Sequence, residues 1–272
     1  MVPETISHED MDQLIQLIRH VHGFDFSQYS AASLKRRVMR ILQLQNLSLF
    51  ELRSILTNDA DYFEHFLTEV TVNVTEMFRD PAFFYAFRKK VLPYLGSYQH
   101  IKVWNAGCST GEELYSFAIA FKEEGLYNRA FFYGTDINSI VIDKAREGKY
   151  NLKDMKLYSE NYKASGGCNS LSDYYQANHE AAYIQSELKP NTLLSIHNLV
   201  SDGVFNEFHI ISCRNVLIYF NEELQEKVLN LFFDSLTNFG FLCLGSKERL
   251  KGNIAKYFKV IDKLNNIYQK IT

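Results

Sequence analysis

The chain has 272 residues, 46% hydrophobic and 22% charged, with a formal net charge of −3. This composition excludes a disordered, collagen-like or low-complexity polymer and predicts one or two globular domains. Slight overall acidity excludes a chain that binds polyanions along its whole surface, while a local basic patch stays compatible with it.

The first ninety or so residues read as successive helices. Ser7 is placed to cap one with Glu9 and Asp10 in its first turn; Met11, Leu14, Leu17, Ile18 and Val21 recur at helical spacing, and Gly23 supplies the stop. A second helix is predicted over about Ala31 to Gln45. A third starts at Ser48, whose S-x-x-E pattern with Glu51 is a capping box, and a fourth covers Asp59 to Val70. Asp80-Pro81 then offers a cap and a first-turn proline for a helix toward Leu95.

The pattern changes after Gly96. A strand at 101–104 leads to a helix from Glu112 to Glu124, a strand at 131–136 and a helix capped by Asn138. Strands follow at 193–197 and 209–213, then a helix from Asn221 to Gly240, a strand at 241–245 and a closing pair of edge strands. Strand–helix alternation of this kind predicts a parallel sheet covered on both faces. Residues 150–190, rich in Tyr, Asn and Ser and carrying Gly166-Gly167, break the rhythm and read as a small inserted subdomain. The four cysteines form no C-x-x-C pair and the eight histidines no H-E-x-x-H, so neither a disulfide framework nor a metal site is expected. No basic start precedes an apolar core at the N-terminus, and no apolar run reaches the roughly 18 residues of a membrane span. A reduced, cytoplasmic, soluble protein is the expectation.

The stretch Val103-Trp104-Asn105-Ala106-Gly107-Cys108-Ser109-Thr110-Gly111-Glu112-Glu113 carries most of the chemistry. A strand runs into a glycine-bearing turn, where Gly107 permits close approach of a ligand, and a helix begins at once. Two glutamates at that helix start would repel a pyrophosphate, whereas a cationic nucleoside such as S-adenosylmethionine, with a sulfonium and an ammonium, suits them. The next strand ends in Asp136, placed to accept two ribose hydroxyls. Asn73-Val74-Thr75-Glu76-Met77-Phe78-Arg79 sets polar side chains and an arginine in a connecting segment, and Cys213-Arg214-Asn215-Val216-Leu217-Ile218-Tyr219-Phe220 ends a predicted buried strand. Taken singly, each also fits an ordinary turn, helix cap or core position.

Taken together and in order, these segments resemble the CheR family, the chemotaxis receptor glutamate methyltransferases that use S-adenosylmethionine. The motifs are N-x-T-x-x-F-R at Asn73–Arg79, C-S-T-G-E-E-x-Y-S at Cys108–Ser116, D-I-N at Asp136–Asn138, Asn198-Leu199, and C-R-N-V-x-I-Y-F at Cys213–Phe220. The resemblance implies an α/β fold. It comprises a class I methyltransferase (Rossmann-like) sheet with a small antiparallel subdomain at 150–192 (domain 76–272), after an all-helical substrate-recognition domain (1–75). By the same motifs Asn73, Thr75, Arg79, Glu113, Asp136, Asn198, Leu199, Arg214 and Asn215 would surround the cofactor, with Arg79 and Tyr219 near the transferred methyl. Departures are Met77 before Phe78, Leu114 in place of a common proline, and Gly245-Ser246-Lys247-Glu248 where G-H-S-E is usual.

The partner implied is the cytoplasmic helical domain of a chemoreceptor, with no nucleic acid, no membrane insertion and a monomeric enzyme. Lys35, Arg36, Arg37, Arg40 and Arg53 face a single acid, Glu51, over residues 31–56. Arg36, Arg37 and Arg40 read either as a solvated helix face or as the element that steers an acidic substrate. The loop after Tyr174-Tyr175 has no glycine, so recognition without a docked receptor tail peptide is expected. Two other readings share the motifs: a module that binds S-adenosylmethionine without turnover, and a methyltransferase of the same fold with another substrate. Retention of Arg79 and Tyr219 counts against the first. Net acidity and the lack of a basic stripe outside one helix count against nucleic acid for the second.

Overall fold

The computed structural model describes residues 5–71 and 73–271; residues 1–4, read above for a targeting segment, lie outside that range. The chain folds as two units, Met1–Asn73 with Leu217–Lys227, and Val74–Val216 with Val228–Thr272.

The helical unit contains α1 (His8–His22), α2 (Ala31–Gln45), α3 (Leu49–Asn58) and α4 (Ala60–Val70). Their ends follow local chemistry. The Ser7 hydroxyl accepts from the Asp10 N–H and Gly23 closes α1 in the left-handed region, while Ser48 and Glu51 cap α3 reciprocally and Asp59 caps α4. Leu14, Ile18, Val38, Ile41, Leu42, Leu52, Leu56, Phe66 and Leu67 recur at helical spacing and fill one core. Leu217–Lys227 completes this unit. The Ser30 N–H donates to the Tyr219 carbonyl at 2.8 Å and the Asn221 N–H to the Gln28 carbonyl at 2.9 Å, and the Tyr29 and Phe220 rings meet edge-on at 5.2 Å.

The second unit runs α5 (Pro81–Lys90), α6 (Leu92–Leu95), β1 (Ile101–Ala106), α7 (Glu112–Glu123), β2 (Ala130–Asp136) and α8 (Ser139–Glu147). It continues through β3 (Lys149–Asn151), α9 (Met155–Ala164), β4 (Tyr175–Ala177), β5 (Ala181–Ile184), β6 (Thr192–Ile196) and β7 (Phe208–Cys213). The helix α10 (Glu222–Ser235), of which only Val228 onward belongs to this unit, β8 (Leu236–Leu244), β9 (Phe258–Asp262) and β10 (Ile267–Lys270) follow. The main sheet has the order β6-β2-β1-β7-β8-β10-β9, parallel except for β10. This is the class I methyltransferase sheet expected, and β3-β5-β4 form the small antiparallel sheet of the insertion. Strand order reverses between β1 and β7, so a ligand crevice is expected at their carboxyl ends. No helix among the described residues is long and apolar enough to cross a membrane.

Three local expectations are corrected. Of the closing strands only β9 is an edge, because β10 inserts between β8 and β9. The helix from Asn221 stops at Ser235 rather than near Gly240; the Lys270 ammonium donates to the Phe233 and Leu236 carbonyls at 2.9 and 2.8 Å, satisfying the helix end. Asp80 precedes α5 with a left-handed φ of 56° and makes no cap bond, because its carboxylate is engaged by Arg214.

The insertion is tied to the core by one buried carboxylate. Glu123 of α7 pairs with Arg88 of α5 and accepts from the Tyr162 and Tyr174 hydroxyls and the Cys168 N–H. Its β4–β5 turn closes without glycine: Asn178 Oδ1 accepts from the Glu180 and Ala181 N–H groups, and no turn residue has positive φ.

Candidate active site

The turn after β1 is shaped by glycine. Gly107 and Gly111 have φ of +75° and +91°, and Ser109 between them is also left-handed. A Cβ on Gly107 would stand 2.5 Å from Val216 Cγ2, and one on Gly111 2.9 Å from Ala145 Cβ. Only glycine satisfies both limits. The Gly107 and Cys108 N–H groups donate to the Thr135 carbonyl at 2.8 and 2.9 Å, fastening the turn to the end of β2.

There Asp136 is 9% exposed. Its Oδ2 accepts from the Ser109 N–H at 2.9 Å and its Oδ1 from the Asn138 N–H at 3.2 Å. Burial pushes the carboxyl above its ordinary range, and these backbone donors oppose the shift. Each oxygen keeps acceptor capacity, so a vicinal diol fits the remaining demand. The Asp136 carbonyl takes the His197 N–H at 3.0 Å, which sets Asn198 and buried Leu199 directly after β6.

A second carboxylate forms a hub on the first turn of α7. Glu113 Oε1 accepts from Asn105 Nδ2 at 3.1 Å and Ser212 Oγ at 2.7 Å, two residues paired across β1 and β7. Its Oε2 takes Arg214 Nη1 at 2.8 Å. Arg214, buried over the Phe83 ring at 4.0 Å, also donates to Asp80 Oδ2 at 2.8 Å and the Arg79 carbonyl at 3.2 Å. Two carboxylates against one guanidinium leave one negative charge in excess. Beside them Asn105 Oδ1 is buried without a hydrogen-bond partner. An ammonium would satisfy both the excess charge and the orphaned acceptor.

The third anchor stands in the Gly245–Glu248 run, to which the sequence motifs assign no role. Glu248 is buried, and its Oε2 accepts from the Gly245 and Asn215 N–H groups at 2.6 and 3.0 Å, its Oε1 from Val216 N–H at 2.8 Å. It holds Asn215 in the left-handed region, φ 63°. The available signal was the acid that Gly245-Ser246-Lys247-Glu248 retains from the G-H-S-E pattern.

Gly107, Glu113, Asp136, Asn198, Leu199, Arg214 and Asn215 thus gather at the carboxyl ends of β1, β2, β6 and β7. Arg79 joins them through its carbonyl, while its own guanidinium donates to the Val74 carbonyl at 2.8 Å; Thr75 is half-buried in the same connecting segment. The helical unit carries the others. Asn73 Nδ2 donates to the Thr68 carbonyl at 3.0 Å, Tyr219 is half-buried, and on α2 Arg36 and Arg40 are exposed with Arg37 half-buried. No cluster of three or more His, Cys, Asp or Glu side chains that could hold a metal ion occurs among the described residues.

Comparison with known proteins agrees with this geometry. The model of the CheR methyltransferase SAM binding domain matches residues 73–266, and that of the CheR methyltransferase all-alpha domain residues 9–71. The Cher3 protein of Pseudomonas putida is 44% identical over 249 residues, 91% of each chain. The chemotaxis protein methyltransferase of Listeria innocua is 29% identical, covering 92% of this chain and 93% of its own. That of Salmonella typhimurium is 28% identical, covering 93% and 88%. Buried acceptors fit for a diol and an ammonium on a class I sheet, and an all-helical unit earlier in the chain, agree with both matches: the chain belongs to the CheR methyltransferase family.

Proposed function

We propose that the protein methylates glutamate side-chain carboxylates in the cytoplasmic helical domain of a chemoreceptor, forming methyl esters for sensory adaptation. The observation that carries this reading is the paired demand of Asp136 for hydroxyl donors and of Glu113 with Asn105 Oδ1 for a cation. S-adenosylmethionine, when bound, supplies an activated methyl group whose transfer to oxygen leaves S-adenosylhomocysteine. In this reading Asp136 holds the ribose and Glu113 the amino group. Asn198 and Leu199 flank the adenine, Gly107 admits the backbone's close approach, and Asn73, Thr75, Arg214 and Asn215 complete the wall.

A glutamate carboxylate, with an ordinary pKa of about 4.3, is already ionised near neutrality, so the reaction calls for no general base. What the enzyme contributes is alignment and partial desolvation of that carboxylate. Arg79 is assigned one carboxylate oxygen through a charge-assisted hydrogen bond, exchanged for its bond to the Val74 carbonyl, and the Tyr219 phenol orients the same group. Arg79→Ala is expected to lower turnover roughly a hundredfold at saturating cofactor and Tyr219→Phe by less, since it removes only a hydroxyl. Wild-type turnover in both variants would remove these residues from the reaction.

Hydrogen bonds to a charged acceptor contribute about 1.5–3 kcal/mol each. Asp136→Ala is therefore expected to weaken S-adenosylmethionine binding at least tenfold while the protein stays folded. Unchanged affinity by calorimetry would exclude the ribose assignment. On α2, Arg36 and Arg40 share one face and join no ion pair among the described residues. Charge reversal of both to Glu is expected to raise the KM for a receptor fragment and flatten its salt dependence. A KM unmoved at low salt would make them a solvated face.

The proposal as a whole is tested by transfer of tritiated methyl to a chemoreceptor cytoplasmic fragment, followed by mild alkali. Release of labelled methanol identifies a carboxyl ester. Alkali-stable label would mean a different acceptor atom.

A further inference from the structure

The turn that fastens the C-R-N segment is also strongly basic. Residues 245–257 read G-S-K-E-R-L-K-G-N-I-A-K-Y, with Lys247, Arg249, Lys251 and Lys256 against one acid, Glu248. That acid is buried, and its oxygens accept from the Gly245, Asn215 and Val216 N–H groups. The four cations are all exposed. Among the described residues neither Lys247 nor Arg249 joins an ion pair. Arg249 is nonetheless held in place, since its Nη1 donates to the Ser246 and Glu248 carbonyls at 2.9 and 2.7 Å. Holding the guanidinium in the free protein lowers the ordering cost of any ion pair it forms on binding.

The location gives these charges a use. A Cβ on Gly245 would lie 2.7 Å from the Asn215 N atom, so the turn abuts the segment assigned to the cofactor wall. Lys247 and Arg249 stand one residue either side of the carboxylate that locks that segment. They therefore occupy the carboxyl end of the sheet, the end at which Glu113 and Asp136 gather. A bare carboxylate substrate offers such an array one charge; a segment with further acids around the target offers several.

We propose that the Lys247–Lys251 turn is a docking surface of the methyltransferase unit for acidic side chains flanking the target glutamate. The preferred substrate is then an acid-rich helical segment, not an isolated glutamate. This rests on the reading that a protein glutamate is the methyl acceptor. Rim charges of this kind speed encounter and set register, and their effect is screened by salt.

The test uses the intact protein, the double variant K247E/R249E and K263E, a reversal at an exposed lysine of the β9–β10 turn. One arm measures methyl transfer to a chemoreceptor cytoplasmic fragment. The other measures anisotropy of a labelled Glu-rich helical peptide of about 20 residues, a length that supports helix formation. The double variant is expected to raise both the fragment KM and the peptide Kd about tenfold at low salt and to weaken their salt dependence. Its kcat and its S-adenosylmethionine affinity should match wild type, and K263E should change none of these. Unchanged KM and Kd, or an equal loss in K263E, would overturn the proposal. So would a single-stranded DNA oligomer that binds the same residues more tightly than the peptide. If wild type fails to methylate the fragment, the glutamate-ester reading falls, while the anisotropy arm still decides the surface.

Discussion

Replacing Arg214 with alanine is expected to lower the unfolding free energy by about 3–5 kcal/mol, the usual cost of stranding one member of a buried ion pair. The guanidinium is 1% exposed and bridges Glu113, Asp80 and the Arg79 carbonyl. Without it Glu113 keeps only the neutral donors Asn105 and Ser212, and Phe83 loses the cation stacked on its face. Arg214→Lys should recover only part of the loss, because a single ammonium lacks the planar fork that reaches two carboxylates at once. Urea unfolding of both variants checks this. If alanine lay within about 1 kcal/mol of wild type, the hub would not be a stabilising element.

Glu112, the neighbour of that hub, should make stability depend on pH in the direction opposite to most carboxylates. It is 5% exposed at the start of α7, and burial pushes its carboxyl up to about 7; the Thr110 hydroxyl at 2.6 Å opposes the shift, and the charge of Asp154 adds to it. In the unfolded chain it ionises near its ordinary value of about 4.3. Between that value and about 7 the unfolded chain has released a proton that the folded chain keeps. Stability therefore falls as pH rises through this window, by up to about 3 kcal/mol, and the loss is complete above it. Glu112→Gln keeps the shape and an acceptor for Thr110 without the ionisation. It should equal wild type near pH 4 and exceed it by about 2–3 kcal/mol near pH 8. Parallel pH profiles for the two proteins would show that Glu112 does not titrate there.

Much of this architecture is legible in the residues themselves where the cause is local. Ser7, Ser48 and Asn138 cap the helices they were expected to cap, because a short polar side chain answers N–H groups two or three residues away. Glu113, Asp136, Asn198 and Arg214 converge for a topological reason: each ends or follows a parallel strand, and parallel strands end on the same side. Partners far apart in sequence leave no such trace. Asp80 looks like a cap until Arg214, 134 residues later, takes its carboxylate. Lys270 ends a helix that its own sequence would carry further, and Glu248 anchors Asn215 across 33 residues. The order β8-β10-β9 likewise depends on pairing that no short window contains.

The enrolment of Leu217–Lys227 in the helical unit has a consequence for how the chain is made. The ribosome delivers α1 to α4 first, yet the residues that bond Gln28 and Ser30 and cover Tyr29 arrive more than 140 positions later. Domains ordinarily fold in turn as they are synthesised. Here the helical unit is completed only after all of β1 to β7 has been translated, when Phe220 reaches the Tyr29 ring and the Gln28 and Ser30 backbone groups find their partners. The first part of the protein to be built is thus among the last to be finished.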